Sequence, residues 1–123
     1  MESPVQGLFR STTRETTLGG VTLPAGAHLQ LLYAAGNRDA HEFPEPGRFD
    51  LERENASSHL AFGGGAHFCL GASLARLEGR IALEVLTTRL PSLALAPGCS
   101  LRRVPHFFLR GFEELQVTWE PAT

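Results

Sequence analysis

The 123-residue sequence contains no lysine, so arginine supplies all eleven of its basic residues. Two cysteines are too few for the dense disulfide framework of a small secreted domain. Eleven basic residues against 13 acidic ones lack the positive excess that is typical of proteins binding nucleic acid or anionic membranes. No apolar run approaches the roughly 20 residues that span a bilayer, and the acidic start is unlike a secretory signal. The sequence therefore predicts a soluble, cytoplasmic protein without a nucleic-acid or membrane partner.

The chain has the composition of an ordinary globular protein, and glycine and proline divide its first half into short elements. Residues 21–23 and 27–31 flank a Pro-Ala-Gly turn, which predicts a hairpin between two strands. Residues 36–55 are polar and rich in turn residues, and closely spaced prolines exclude a regular helix there. We expect a long loop in this region.

The second half of the chain carries the strongest periodic signal, a set of apolar residues that recur every three or four positions: Leu70, Leu74, Leu77, Ile81 and Val85. This spacing predicts one helix over about 70–89, with its apolar stripe packed in a core and Pro91 ending it. Alternating apolar residues at the end of the chain predict a strand over 115–119, paired with 101–109 across a turn at 110–111.

A glycine-rich segment stands directly before this helix and has the sequence Phe62-Gly63-Gly64-Gly65-Ala66-His67-Phe68-Cys69-Leu70-Gly71. Its four glycines cost chain entropy, so they indicate a backbone that turns tightly or closely approaches a flat ligand. Cys69 is predicted in the first turn of the helix, where free N–H groups and the helix dipole favour an anionic sulfur. A thiolate on a rigid glycine loop suits an axial bond to iron in a macrocycle.

Other interpretations of these side chains are less consistent with the sequence. A zinc site would need a fourth ligand beside His59, His67 and Cys69, and the sequence offers no paired Cys-x-x-Cys. A hydrolase using Cys69 and His67 would place nucleophile and base only two residues apart, with no orienting Asn or Asp evident. His59 is interpreted as a hydrogen-bonding loop residue, and Cys99 as part of a turn.

The fixed positions of the segment form the pattern Phe-Gly-x-Gly-x-His-x-Cys-x-Gly, which resembles the haem-binding signature of the cytochrome P450 family. Residues 37–39, 43–46, 48–50 and 74–78 are similar to the bacterial branch of that family, in the expected order. The resemblance implies an α+β chain forming the C-terminal part of the mainly helical cytochrome P450 fold, with β-hairpins, a cysteine haem-binding loop, a long helix and a terminal β-hairpin. We expect residues 1–123 to form a single partial domain, about the final third of a family member.

The resemblance also implies site residues. Cys69 would bind the iron of haem b, while His67 and Arg10 would bind its propionates, since the planar fork of arginine suits a carboxylate. The other residues implied to contact haem are Phe62, Gly63, Gly65 and Gly71. The residues implied to line a substrate pocket are Val5, Gln6, Leu8, Phe108 and Leu109.

The activity implied by the resemblance is that of a haem-thiolate monooxygenase, an oxidoreductase that inserts one atom of O₂ into a small apolar organic substrate. A ferredoxin or its reductase would supply the electrons. The family's oxygen-side helix and its Glu-x-x-Arg helix are not among these 123 residues, so a truncated, non-catalytic haem-binding protein remains the alternative. Such a truncation would leave apolar surface uncovered, so we expect the chain to self-associate.

Overall fold

The computed structural model describes residues 3–120, which divide into two compact units. The first unit contains residues 3–61 and 106–110, and the second contains residues 62–105 and 111–120. The predicted α+β class is confirmed, whereas the single partial domain stays a prediction. In the part that the structure describes, no helix has the length and apolar character needed to cross a membrane.

Two antiparallel strand pairs form the β-structure of the first unit. Strand β1 (Leu8–Ser11) pairs with β4 (His28–Leu31), and β2 (Thr16–Leu18) pairs with β3 (Val21–Leu23). The predicted hairpin between residues 21–23 and 27–31 is therefore wrong.

The physical reason lies in the Gly19-Gly20 turn between β2 and β3. Gly19 and Gly20 have φ values of 56° and 80°, and a two-residue hairpin loop of this kind requires positive φ at both central positions. Glycine adopts that conformation without the steric cost that a Cβ would impose.

The Pro-Ala-Gly turn does not connect two paired strands but is hydrogen-bonded to Thr12. The Thr12 amide donates to the Ala27 carbonyl at 3.0 Å, and the Gly26 amide donates to the Thr12 carbonyl at 2.8 Å. The Thr12 hydroxyl donates to the Pro24 carbonyl at 2.6 Å. These bonds place the turn against the end of β1, so the chain returns as β4 beside β1.

Residues 32–61 contain one short helix, α1 (Tyr33–Gly36), followed by turns and a 3₁₀ turn over Ala56–Ser58. The long loop predicted over 36–55 is confirmed. Tyr33, Asn37 and Phe43 are buried, and the Asn37 carboxamide oxygen accepts the Leu60 amide at 2.6 Å. Local hydrogen bonds and a few buried side chains thus order a segment that has almost no regular structure.

The second unit contains the long helix α2 (Ala72–Arg89) and the strand pair β5 (Ala94–Leu95) and β6 (Val117–Thr118). The helix predicted over 70–89 is confirmed, with a start two residues later. The predicted core packing of its stripe is wrong within this chain, because Leu74, Leu77, Ile81 and Val85 are between 45% and 57% exposed. Periodicity identifies the apolar face of a helix but not what covers it.

The predicted terminal strand is present over Val117–Thr118, but its predicted partner is wrong. Strand β6 pairs with β5, and Leu95 stands opposite Val117, whereas the prediction paired this strand with residues 101–109. Within 101–109, Pro105 has no N–H to donate to a ladder and interrupts the segment as a strand. Only an isolated bridge between Arg103 and Phe112 remains there in the second unit.

Candidate functional site

The glycine-rich loop of the second unit is closed by backbone hydrogen bonds. The Cys69 amide donates to the Phe62 carbonyl at 2.8 Å, and the Phe68 amide donates to the Gly65 carbonyl at 3.0 Å. Gly63 and Gly65 have φ values of 72° and 62°, in the left-handed region that favours glycine. A short 3₁₀ turn over Gly65–His67 completes the loop. Glycine at these two positions therefore allows the chain to bring Cys69 back to Phe62.

Cys69 lies before helix α2, so its predicted place in the first helical turn is wrong. Gly71 is the N-cap residue, and the Ala72 amide donates to the Cys69 carbonyl at 3.2 Å in the turn that leads into the helix. The amide of Cys69 is occupied by the Phe62 carbonyl. The thiol itself is exposed, so it is available to a group outside the loop.

Apolar side chains surround the cysteine along the loop. The rings of Phe62 and Phe68 meet edge to face, with centroids 6.2 Å apart. Phe68 is 48% exposed, and Leu70, directly after the cysteine, is fully exposed. The thiol thus lies on an apolar surface.

The loop fits a flat cofactor that carries a metal and carboxylates. A Cβ built on Gly64 or Gly65 would meet no atom within 4 Å, so bare backbone faces open space there. His67 is exposed, and its imidazole makes no hydrogen bond with any residue between 3 and 120. The exposed thiolate-forming side chain can bind iron, and the imidazole can donate to a carboxylate.

A conventional metal cluster is not present in the region covered by the structure. Among residues 3–120, no group of three or more His, Cys, Asp or Glu side chains lies close enough to hold a metal ion.

Arg10 lies in the first unit, on β1, opposite Leu29. The side chain is partly exposed, and its Nη1 donates to the Phe9 carbonyl at 2.7 Å. Its role as a propionate partner stays a prediction.

The residues predicted to line a substrate pocket are largely brought together within the first unit. Val5 and Leu109 form an antiparallel bridge, and the Gln6 amide donates to the Phe108 carbonyl at 2.8 Å. Leu8 lies instead in the β1–β4 pair, opposite Leu31.

Sequence reasoning missed two side chains that support this segment. His106 Nδ1 accepts the amides of Phe108 and Leu109 at 3.1 and 3.0 Å, which fixes the turn between them. The Phe9 ring meets Phe108 edge to face, with centroids 5.3 Å apart. Phe9 and Phe108 are far apart in the sequence, so no local pattern indicated their contact. His106 stands two residues before Phe108, and a side-chain acceptor at that spacing was the one local signal of a turn.

A third missed contact involves Arg76 on α2, whose guanidinium carbon lies 4.8 Å from the centroid of the Phe62 ring. A separation of fourteen positions between loop and helix matches no sequence period, so no pattern indicated this pair. Its position in the second turn of α2, next to the loop in the chain, was the available signal.

A cavity of about 160 Å³ lies in the first unit, within residues 37–59. Its lining includes Asn37, Phe43, Phe49 and His59, and none of the predicted haem or substrate residues. The His59 imidazole accepts the Ala61 amide at 3.2 Å, as expected of a hydrogen-bonding loop residue.

The sequence and the fold of this chain are similar to those of known proteins. The family model described as Cytochrome P450 matches residues 1–90. Cytochrome P450 144 of Mycobacterium tuberculosis is 45% identical over 116 residues, which cover 94% of this chain and 26% of that protein. Vitamin D(3) 25-hydroxylase of Pseudonocardia autotrophica is 48% identical in an alignment of 124 positions, which covers 99% of this chain and 30% of that protein.

A solved structure gives the same result for the fold. CYP109E1 from Bacillus megaterium, in complex with testosterone, superposes with a TM-score of 0.89 at 40% identity. The match covers 94% of this chain and 32% of that one. The chain therefore spans about a third or less of the length of the proteins to which it is similar.

Proposed function

Because the chain belongs to the cytochrome P450 family, we propose that it forms the haem-binding part of a haem-thiolate monooxygenase, with Cys69 as the iron ligand. Members of this family bind haem b through a cysteine thiolate. The observation that carries the proposal is the exposed Cys69 thiol on a glycine loop that is closed by the bond from the Cys69 amide to the Phe62 carbonyl.

In this proposal, further residues of both units would hold the cofactor. His67, exposed at the end of its 3₁₀ turn, and Arg10 would donate to the two propionates. Phe62 would pack beside the sulfur, and Gly63, Gly65 and Gly71 would allow the backbone to approach the macrocycle. When bound, haem with a thiolate ligand supplies reductive activation of O₂ and insertion of one oxygen atom into a substrate.

The substrate that we propose is a small apolar organic molecule, and a ferredoxin or its reductase would donate the electrons. Support comes from the relatives, one named as a vitamin D(3) hydroxylase and one solved with testosterone. The pairings of Val5 with Leu109 and Gln6 with Phe108 give this chain a partly apolar segment that would contact the substrate.

The ligand assignment is tested by two matched serine variants. After addition of haem and reduction, the carbon-monoxide difference spectrum of the chain should show the long-wavelength Soret band of thiolate ligation. Cys69→Ser should abolish this band, whereas Cys99→Ser should retain it, because Cys99 lies in the turn that its amide forms with the Ala96 carbonyl. Equal losses in both variants would overturn the assignment of Cys69.

Turnover with a redox partner then separates the enzyme from the alternative. A chain that gives the thiolate band but no product, alone and with a reductase system, is a non-catalytic haem-binding fragment.

A further inference from the structure

The second turn of α2 carries a cation that is directed at the cysteine loop. The guanidinium carbon of Arg76 lies 4.8 Å from the centroid of the Phe62 ring, within the range over which an aromatic face attracts a cation. Arg76 has no ion-pair partner among residues 3–120. Its charge is therefore compensated there by the ring and by solvent.

Phe62 connects this cation to Cys69. The carbonyl of Phe62 accepts the Cys69 amide at 2.8 Å, so the backbone of the residue that carries the ring also closes the loop. The same ring also contacts the ring of Phe68, the residue directly before the cysteine. A force that holds the Phe62 ring thus restrains both the residue before the cysteine and the cysteine itself.

We propose that Arg76 is a positioning residue for Cys69: its guanidinium holds the Phe62 ring, and through Phe62 it fixes the loop that presents the thiol. The positioning itself needs no cofactor. Its consequence for the iron rests on the proposed function, because the orientation of the sulfur and a nearby positive charge affect the iron only when haem is bound to Cys69.

Arg80 provides a matched control on the same helix. It lies one turn beyond Arg76, and its Nε is 3.7 Å from a carboxylate oxygen of Glu84. Arg76→Gln and Arg80→Gln each remove one positive charge from α2 and introduce the same side chain, which has a helix propensity close to that of arginine. Only the first variant removes the contact with Phe62.

The first test measures hydrogen exchange of backbone amides in the haem-free chain. Loss of an exposed cation–π contact should make exchange of the Cys69 amide about two- to fivefold faster in Arg76→Gln. The Ala75 amide, which donates to Gly71 at the start of α2, should not change, and Arg80→Gln should leave both rates unchanged. Arg76→Lys should restore most of the protection. Equal rates at Cys69 in Arg76→Gln and the unaltered chain would overturn the proposal.

The second test measures the reduction potential of the haem-loaded chain. Arg76→Gln should lower the midpoint potential, because a nearby positive charge favours the reduced state, and Arg80→Gln should lower it less. Equal shifts in the two variants would mean that only net charge matters, which contradicts a specific role for Arg76. A chain that takes up no haem would count against the proposed function, while the exchange rates would still decide the role of Arg76.

Discussion

Residues 32–61 and helix α2 differ in how their apolar side chains are covered. The first segment is almost without regular structure, yet Tyr33 and Phe43 in it are buried. Helix α2 is regular over eighteen residues, yet Ala72 is the buried residue that it contributes. Regular backbone hydrogen bonding and side-chain burial are therefore separate properties, and each must be tested by itself.

The loop segment is ordered by bonds between side chains and backbone. Arg53 donates to the carbonyls of Pro44 and Glu45, and Asn37 accepts the Leu60 amide. Each of these bonds joins residues far enough apart to close a turn. The helix satisfies its backbone hydrogen bonds internally, whereas burial of its apolar stripe depends on what covers that face.

The largest effect that distinguishes the two regions is expected from Phe43→Ala. Phe43 is 6% exposed, so its truncation should lower the free energy of unfolding by about 3 kcal/mol, measured by urea denaturation. Phe49→Ala is the matched control, because Phe49 lines the same cavity but is 86% exposed. A similar loss in both variants would show that the loop segment has no core of its own.

An intermediate effect is expected on the open face of α2. Ile81→Glu places a charge in the half-exposed stripe and should weaken self-association about tenfold, as measured by light scattering at micromolar concentration. Ala82→Glu adds the same charge to the same helix outside the stripe, so association should be retained. If the unaltered chain is a clean monomer at that concentration, the expected self-association is wrong.

The smallest effect concerns the carboxylate of Asp39 in the loop segment. The His41 backbone amide and imidazole donate to Asp39 Oδ1 at 2.9 and 3.1 Å, which lowers the pKa of Asp39 below its usual range. A lowered pKa in the folded state stabilises the fold above the ordinary carboxyl pKa, and this contribution is lost as pH falls through the lowered value.

Urea denaturation of Asp39→Ala and the unaltered chain between pH 6 and pH 2 measures that contribution. The difference between the two proteins should be small because Asp39 is exposed, and it should shrink as the pH falls below about 4. A difference that grows towards low pH would have the wrong sign.

The sequence correctly predicted those structural elements that depend on residues close together in the chain. The apolar period from Leu70 to Val85 gave helix α2, and the prolines of residues 36–55 gave the long loop. The glycine pattern predicted a tightly turned loop before the helix, and Gly63 and Gly65 do adopt left-handed φ values. In each case the deciding residues lie within a few positions of one another.

Partners at a distance could not be predicted from the same signals. Alternation in a strand assigns its two faces but not its neighbour, which is why β3 and β6 were given the wrong partners. The Phe62 carbonyl that takes the Cys69 amide, and the guanidinium of Arg76, likewise depend on how the chain turns. Burial of the α2 stripe depends on what covers it, which a helical period does not contain.

The bonds of Thr12 to the Pro24–Ala27 turn have a practical consequence for protein engineering. They join the two ends of residues 13–23 where β1 and β4 meet, so the β2–β3 hairpin forms an appendage with its own exposed turn. Residues inserted between Gly19 and Gly20 would lengthen a loop whose ends are already held together by the Thr12 contacts. The entropic cost of closing such a loop rises only slowly with its length. This turn is therefore a suitable attachment point for an epitope tag or a fluorescent reporter.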